Sequence, residues 1–296
     1  MTWLTDPWSY PFMQNAFLAA ALVGLICGVT GTFVVLKGLA FMGDALAHSI
    51  FPGVVIAYIV GGSFLLWAMI AAVMVSLMIG VVSSHARLSN DTAIGVLFVG
   101  AFALGIALIS TQQSYARDLT ALLTGSILGV SRSDLILTAL VGGVVVLLIL
   151  LSRRELSAIA FDRVFAESSG IHVRFYELLF LVLLSLTIVI SLQTVGNIMV
   201  LAMLVTPAAT ARLLTIRLPA TVALSAVLGM LSGLSGLYIS YHFSLSSGAA
   251  IVLVATVLFG VVFMFSPRTG VVTTAVRRYL HYPHPERDTF AERTTP

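Results

Sequence analysis

Long apolar runs broken by short polar punctuation set the rhythm of this chain. No charged residue lies between Asp6 and Lys37, between Glu177 and Arg212, or between Arg217 and Arg268. Each of these gaps holds one or more stretches of the roughly 20 apolar residues that cross a bilayer as a helix. Turn residues and charges divide the runs into spans expected at 14–36, 41–61, 63–84, 92–112, 134–152, 175–193, 196–215, 218–240 and 247–266. The pattern predicts an all-α polytopic membrane protein with about nine transmembrane helices, eight being the alternative count. Residues 113–133 are too apolar for a plain loop. A short helix dipping into the protein fits them, tolerated at depth only where surrounding helices satisfy its backbone.

Composition agrees with the pattern. Hydrophobic residues make up 59% of the chain and charged residues 9%, with mean hydropathy +1.08, whereas a soluble domain carries about 25% charged residues. The single Cys27 lies in the first span and excludes an internal disulfide. The amino terminus lacks a basic region followed by a short apolar core and a cleavage site, so the first span is expected to stay in the membrane.

A pI near 9.2 raises the question of nucleic acid. The basic residues, however, are scattered through short loops and form no stripe with interleaved aromatics. Orientation in the bilayer accounts for them better. With the loop from Arg153 to Glu177 cytoplasmic, alternation of the spans puts 13 of the 15 Lys and Arg residues on that side and leaves Arg117 and Arg132 outside. Residues 1–13 then form an external amino-terminal segment and 14–268 a transmembrane domain. Residues 269–296, with Pro283, Pro285, Pro296 and many charges, form a flexible cytoplasmic tail.

Within the second span Asp44 and His48 stand four residues apart, in Phe41-Met-Gly-Asp-Ala-Leu-Ala-His-Ser-Ile-Phe-Pro-Gly53. On a helix this spacing puts a carboxylate and an imidazole on one face. Ionisable groups at membrane depth are costly and mark substrate or ion pathways. A hard oxygen donor beside a borderline nitrogen donor suits a divalent transition metal. The plainer reading is that Asp44 caps or pairs locally and His48 is a satisfied interior histidine. Met42, two residues before Asp44, points to another face and reads as packing. Pro52-Gly53 should break or kink the helix just beyond His48, in the manner of transporter binding sites.

The stretch Gly28-Val-Thr-Gly-Thr-Phe-Val-Val-Leu-Lys-Gly-Leu-Ala-Phe-Met-Gly-Asp-Ala-Leu-Ala-His-Ser-Ile-Phe-Pro-Gly53 resembles the opening signature of bacterial ABC-transporter permeases for manganese, zinc and iron. Val195–Leu214 and Ser246–Ala255 with Phe265-Ser-Pro267 agree with it, so the resemblance runs in order from about residue 14 to 268. It implies that Asp44 and His48 coordinate the transported ion, Mn²⁺ ahead of Zn²⁺ or Fe²⁺, and that no cofactor is bound permanently. It also implies a two-fold dimer, with the pathway shared by two copies of this chain, each giving one Asp and one His. Partners would be a cytoplasmic ATP-binding subunit and an external metal-binding protein, and the setting a bacterial cell membrane.

Between Ser152 and Ile171 lies the longest charged segment between spans. Phe161 to Ser169 is expected to form one short amphipathic helix ended by Gly170. By resemblance this is the coupling helix that docks on the ATPase, with Phe161, Asp162, Ala166 and Gly170 as matching positions. Without the resemblance it reads equally as a helix lying on the membrane surface.

Absent motifs narrow the function. The chain has no Gly-x-x-x-x-Gly-Lys-Ser/Thr loop to cradle ATP phosphates and no His-Glu-x-x-His. It therefore reads as a transport subunit and not an enzyme, with hydrolysis on a separate chain. The alternative is a gradient-driven metal carrier, which should show inverted repeats and a second acid for a proton relay. Asn197, Met199 and Met203 are candidates to line the pathway, with no spacing that prefers this to simple packing, and His242 near the outer surface could receive metal from a partner, although a lone interfacial histidine is more often simply tolerated.

Overall fold

The computed structural model describes residues 6–85, 90–111, 127–266, 270 and 272–273. All regular elements among them are helical: α1 (Pro11–Leu36), α2 (Ala40–Ser49), α3 (Phe51–Val60), α4 (Phe64–His85), α5 (Asn90–Ser110), α6 (Arg132–Leu151), α7 (Arg153–Phe161), α8 (Arg163–Ser168), α9 (Val173–Val195), α10 (Asn197–Leu214), α11 (Leu218–Phe243) and α12 (Ser247–Phe265). The long helices begin and end within three residues of the expected spans.

Eight segments among the described residues are long and apolar enough to cross a membrane, with α2 and α3 together counting as one of them. The remaining expected span, 196–215, is α10, whose apolar part Met199–Leu214 is shorter than the rest. Length and composition thus support the alternative count of eight, and the count of nine is not established. The expected dip at 113–133 lies outside the described residues except for its end, where Ile127–Gly129 makes a single 3₁₀ turn. The tail at 269–296 lies outside them apart from residues 270 and 272–273.

Burial ranks the helices. Of α1's apolar window 72% is buried, against 17% for α12 and 22% for α5. A helix hydrophobic on every side belongs where protein surrounds it, and α1 occupies that place. Its small residues let neighbouring backbones come close, the usual way helices associate when lipid offers no hydrophobic contrast. A Cβ added at Gly24 would lie 2.6 Å from the Gly229 carbonyl on α11. One added at Gly28 would meet the Ser225 carbonyl at 2.6 Å, and one at Gly31 would collide with the Leu204 carbonyl on α10.

Hydroxyls complete the seams. Ser225 Oγ donates to the Gly28 carbonyl at 2.7 Å, Thr30 and Thr187 hydroxyls meet at 3.3 Å, and Thr138 meets Thr194 at 3.3 Å.

The two ends of the bundle differ. At one, Tyr10 and Tyr241 rings approach to 6.3 Å, Asn15 donates to the Val130 carbonyl, and Gln193 reaches Asp134. At the other, Lys37, Arg163 and Arg174 surround one cavity, and Ser266 Oγ donates to the Leu213 carbonyl at 2.7 Å.

The close approach around α1 makes a direct prediction. Gly28→Leu should destabilise the purified protein by about 1–3 kcal/mol or more through overpacking, read as a lower melting temperature. Gly95→Ala, where an added Cβ meets nothing within 4 Å, should leave the melting temperature within a degree or two of wild type; equal losses in the two variants would remove the packing argument.

Candidate functional site

The α1–α2 turn, Lys37 to Leu39, sends the chain back into the bundle, with Gly38 at φ 69° in the left-handed region that a residue without Cβ enters readily. The returning helix α2 is amphipathic in a limited sense. Met42, Ala45, Leu46 and Ser49 are buried, while Asp44 and His48 share the less covered face. Gly43 lets α2 sit against Leu201 and Leu204 of α10, since a Cβ there would stand 3.1–3.2 Å from their methyl groups.

On that face His48 Nε2 and Asp44 Oδ1 are 3.4 Å apart. The side chains are 29% and 49% exposed, respectively, in the single chain. His48 also lies against two rings of α5, Phe98 at 5.8 Å and Phe102 at 5.7 Å between centroids. The Phe102 ring meets the imidazole edge-on at 74° and the Phe98 ring is tilted by 44°. Sequence reasoning missed them, although Phe98 and Phe102 repeat the same four-residue spacing as Asp44 and His48.

The expected break beside the pair is small. Between α2 and α3 only Ile50 is unassigned, and it keeps right-handed helical dihedrals, φ −74° and ψ −18°. The His48 carbonyl, which a residue-52 N–H would otherwise meet, accepts the Ile50 N–H instead, so Pro52, which lacks an N–H, costs the ladder little. This is a one-residue interruption, and the expected kink is not shown.

One carboxylate and one imidazole offer two donor groups. Among the described residues no cluster of three or more His, Cys, Asp or Glu side chains exists, so a closed set of four ligands is not assembled among them. The half-exposed carboxylate leaves the open side of the pair available to groups from elsewhere.

The other pathway candidates divide. Met199 and Met203 are fully buried packing residues, and the Asn197 side chain lies outside the described residues. His242 Nδ1 is 3.0 Å from the Tyr238 carbonyl, and its ring stacks on Tyr238.

The loop after α6 departs from expectation. Phe161 to Ser169 is not one helix: α7 ends at Phe161, Asp162 is extended (φ −152°, ψ 106°), and α8 starts afresh at Arg163. The cause is local capping. Asp162 Oδ1 accepts the Phe165 N–H at 2.9 Å, which favours a new helix start over continuation. Ala166 is fully buried beside Ile159 and Val173. Gly170, at φ 82°, closes α8, with its N–H donating to the Glu167 carbonyl. Phe161, Val164 and Phe165 are 72%, 76% and 64% exposed and form an apolar projection. Val164 and Phe165 were not among the expected positions, because which side of so short a helix faces outward depends on how the loop turns at Asp162.

This arrangement has relatives. A model of the ABC 3 transport family matches residues 9–266. The chain is 49% identical over 265 residues to the manganese transport system membrane protein MntC of Halalkalibacterium halodurans, covering 90% of this chain and 91% of that one. A probable iron transport system membrane protein of Haemophilus influenzae is 39% identical over 270 residues, covering 91% and 95%. Among solved structures, PsaBC from Streptococcus pneumoniae in complex with Fab matches with TM-score 0.81 and 35% identity, covering 93% of this chain and 99% of that one. With its helical bundle and its apolar spans, the chain belongs to the ABC 3 transport family and is a multi-pass membrane permease of the metal ABC transporter type.

Proposed function

We propose that this permease imports Mn²⁺, driven by ATP hydrolysis on a separate cytoplasmic subunit, and that two copies of the chain form the pathway. The observation that carries the reading is the Asp44–His48 pair, aligned on one open face of α2 within 3.4 Å. Two such faces brought together by a two-fold axis supply two carboxylates and two imidazoles, a four-donor set of mixed hardness. Without thiolates the set holds a divalent ion loosely enough for it to leave as well as enter. Mn²⁺ is favoured over Zn²⁺ and Fe²⁺ by the hard oxygen donors and by the manganese transport names of several relatives; the relative named for iron keeps Fe²⁺ as the nearest competitor.

Positive charge orients the chain. The end bearing Lys37, Arg163 and Arg174 is cytoplasmic, as is the tail, and the end with Tyr10 and Tyr241 receives metal from an external binding protein. On the cytoplasmic side Phe161, Val164 and Phe165 insert into a groove of the ATPase. Asp162 and Gly170 set the two ends of α8, and Ala166 anchors it against α7 and α9. Movement of that anchored projection is the means by which nucleotide binding opens the path around Asp44 to one side at a time.

Vesicle uptake tests the pathway. With ATPase and binding protein present, Asp44→Ala should lower ATP-dependent Mn²⁺ uptake by about 100-fold or more, beyond the 10–100-fold typical of groups that only support a ligand. Asp44→Asn keeps the size and removes the charge, and uptake at the wild-type rate in that variant would rule out a ligand role.

Coupling is tested separately. Phe165→Asp, on a side chain 64% exposed, should leave the melting temperature of the permease unchanged while abolishing co-purification with the ATPase; retained co-purification would place the docking surface elsewhere.

A further inference from the structure

A cavity of about 270 Å³ opens at the cationic end of the bundle, between the α1–α2 turn, α4, α7 and α9. Lys37, Arg163 and Arg174 line it, with Glu177 as the lone carboxylate among its lining residues. That carboxylate is engaged: Arg163 Nη2 lies 3.2 Å from Glu177 Oε2. Among the described residues neither Lys37 nor Arg174 has an ion-pair partner within 4 Å; Lys37 instead lies over the Phe180 ring, 5.5 Å from its centroid. Two positive charges thus remain uncompensated at the cavity.

The remaining walls are apolar. Ile79, Leu178 and Leu181 line the cavity from α4 and α9, and Val81 stands at its exposed rim. From that rim an apolar stripe runs up the surface of α4 through Met78, Leu77 and Met74, all at least 40% exposed, at the spacing that keeps residues on one helix face. A cationic recess at a helix end, continuous with an exposed apolar stripe on a lipid-facing helix, matches an amphiphile with an anionic head.

We propose that this cavity binds the phosphate headgroup of an anionic phospholipid through Lys37 and Arg174, with the acyl chains lying along Met74, Leu77, Met78 and Val81. Basic recesses between transmembrane helices on the cytoplasmic side hold such headgroups by charge-assisted hydrogen bonds. The volume suits a headgroup and not a whole lipid, being just under the ~300–1,000 Å³ of sites that enclose a complete small ligand. Burial holds the Lys37 ammonium below its ordinary pKa; Glu177 opposes this and Arg163 adds to it. An anion beside it would favour the charged form. The site requires the chain to lie in a membrane but is independent of any metal role for Asp44.

The test uses the full chain, delipidated in a neutral detergent, with its melting temperature followed during titration by dioleoyl phosphatidylglycerol, by dioleoyl phosphatidylcholine and by inorganic phosphate. Phosphatidylglycerol should raise the melting temperature saturably where the other two do not. Lys37→Gln with Arg174→Gln should weaken that response about thirtyfold. If the double variant does not fold, Arg174→Gln alone, on an exposed side chain, should weaken it about fivefold. An equal response to phosphatidylcholine, or a response unchanged in the variants, overturns the proposal. A response to inorganic phosphate matching that to phosphatidylglycerol assigns the cavity to a soluble anion and overturns the lipid assignment.

Discussion

Backbone-to-backbone contact around α1 is the constraint on which the rest of the structure depends. In a bilayer, helices gain nothing from hiding apolar surface from lipid, so close packing must hold them together. Gly24, Gly28 and Gly31 recur along α1 at spacings that bring the carbonyls of Gly229, Ser225 and Leu204 against its surface. The Ser225 hydroxyl donating to the Gly28 carbonyl ties the same seam by a polar contact that lipid cannot replace. With α10 and α11 fixed on one side and α9 tied through Thr30 and Thr187, the end of α1 is fixed as well. From that end the turn at Gly38 launches α2, and the position of Asp44 follows.

An ionisable pair near the start of a membrane helix is stable here because its surroundings are graded. The buried side of α2 is wholly apolar or small, and Gly43 brings it onto Leu201 and Leu204. The polar side is left partly open, so neither group is sealed away from partners. Phe98 and Phe102 of α5 pack their apolar rings against the imidazole. The single chain thus presents one carboxylate and one imidazole on a partly open face.

The loop between α6 and α9 shows how one side chain redirects a segment. Its alternation of apolar and charged residues reads as one amphipathic helix, and by propensity alone it would continue through residue 162. Asp162 captures the Phe165 N–H and starts a second helix, which turns Ala166 inward and leaves Phe161, Val164 and Phe165 outward. Arg163, next after Asp162, pairs with Glu177 and faces the same recess as Arg174 and the distant Lys37.

The sequence by itself determined the fold class, the positions of the long helices to within three residues, and the pairing of Asp44 with His48, because hydrophobic period and i, i+4 spacing act locally along the chain. What only the tertiary structure decided was contact across sequence distance: Phe98 and Phe102 against His48, the orientation of Val164 and Phe165, and the gathering of Lys37 with Arg163 and Arg174. The modest interruption at Ile50 belongs here too, since Pro52 marks a missing donor but not whether the next carbonyl finds another. These features depend on which helix faces meet, and that is fixed by close packing between segments far apart in the chain, which no local pattern records.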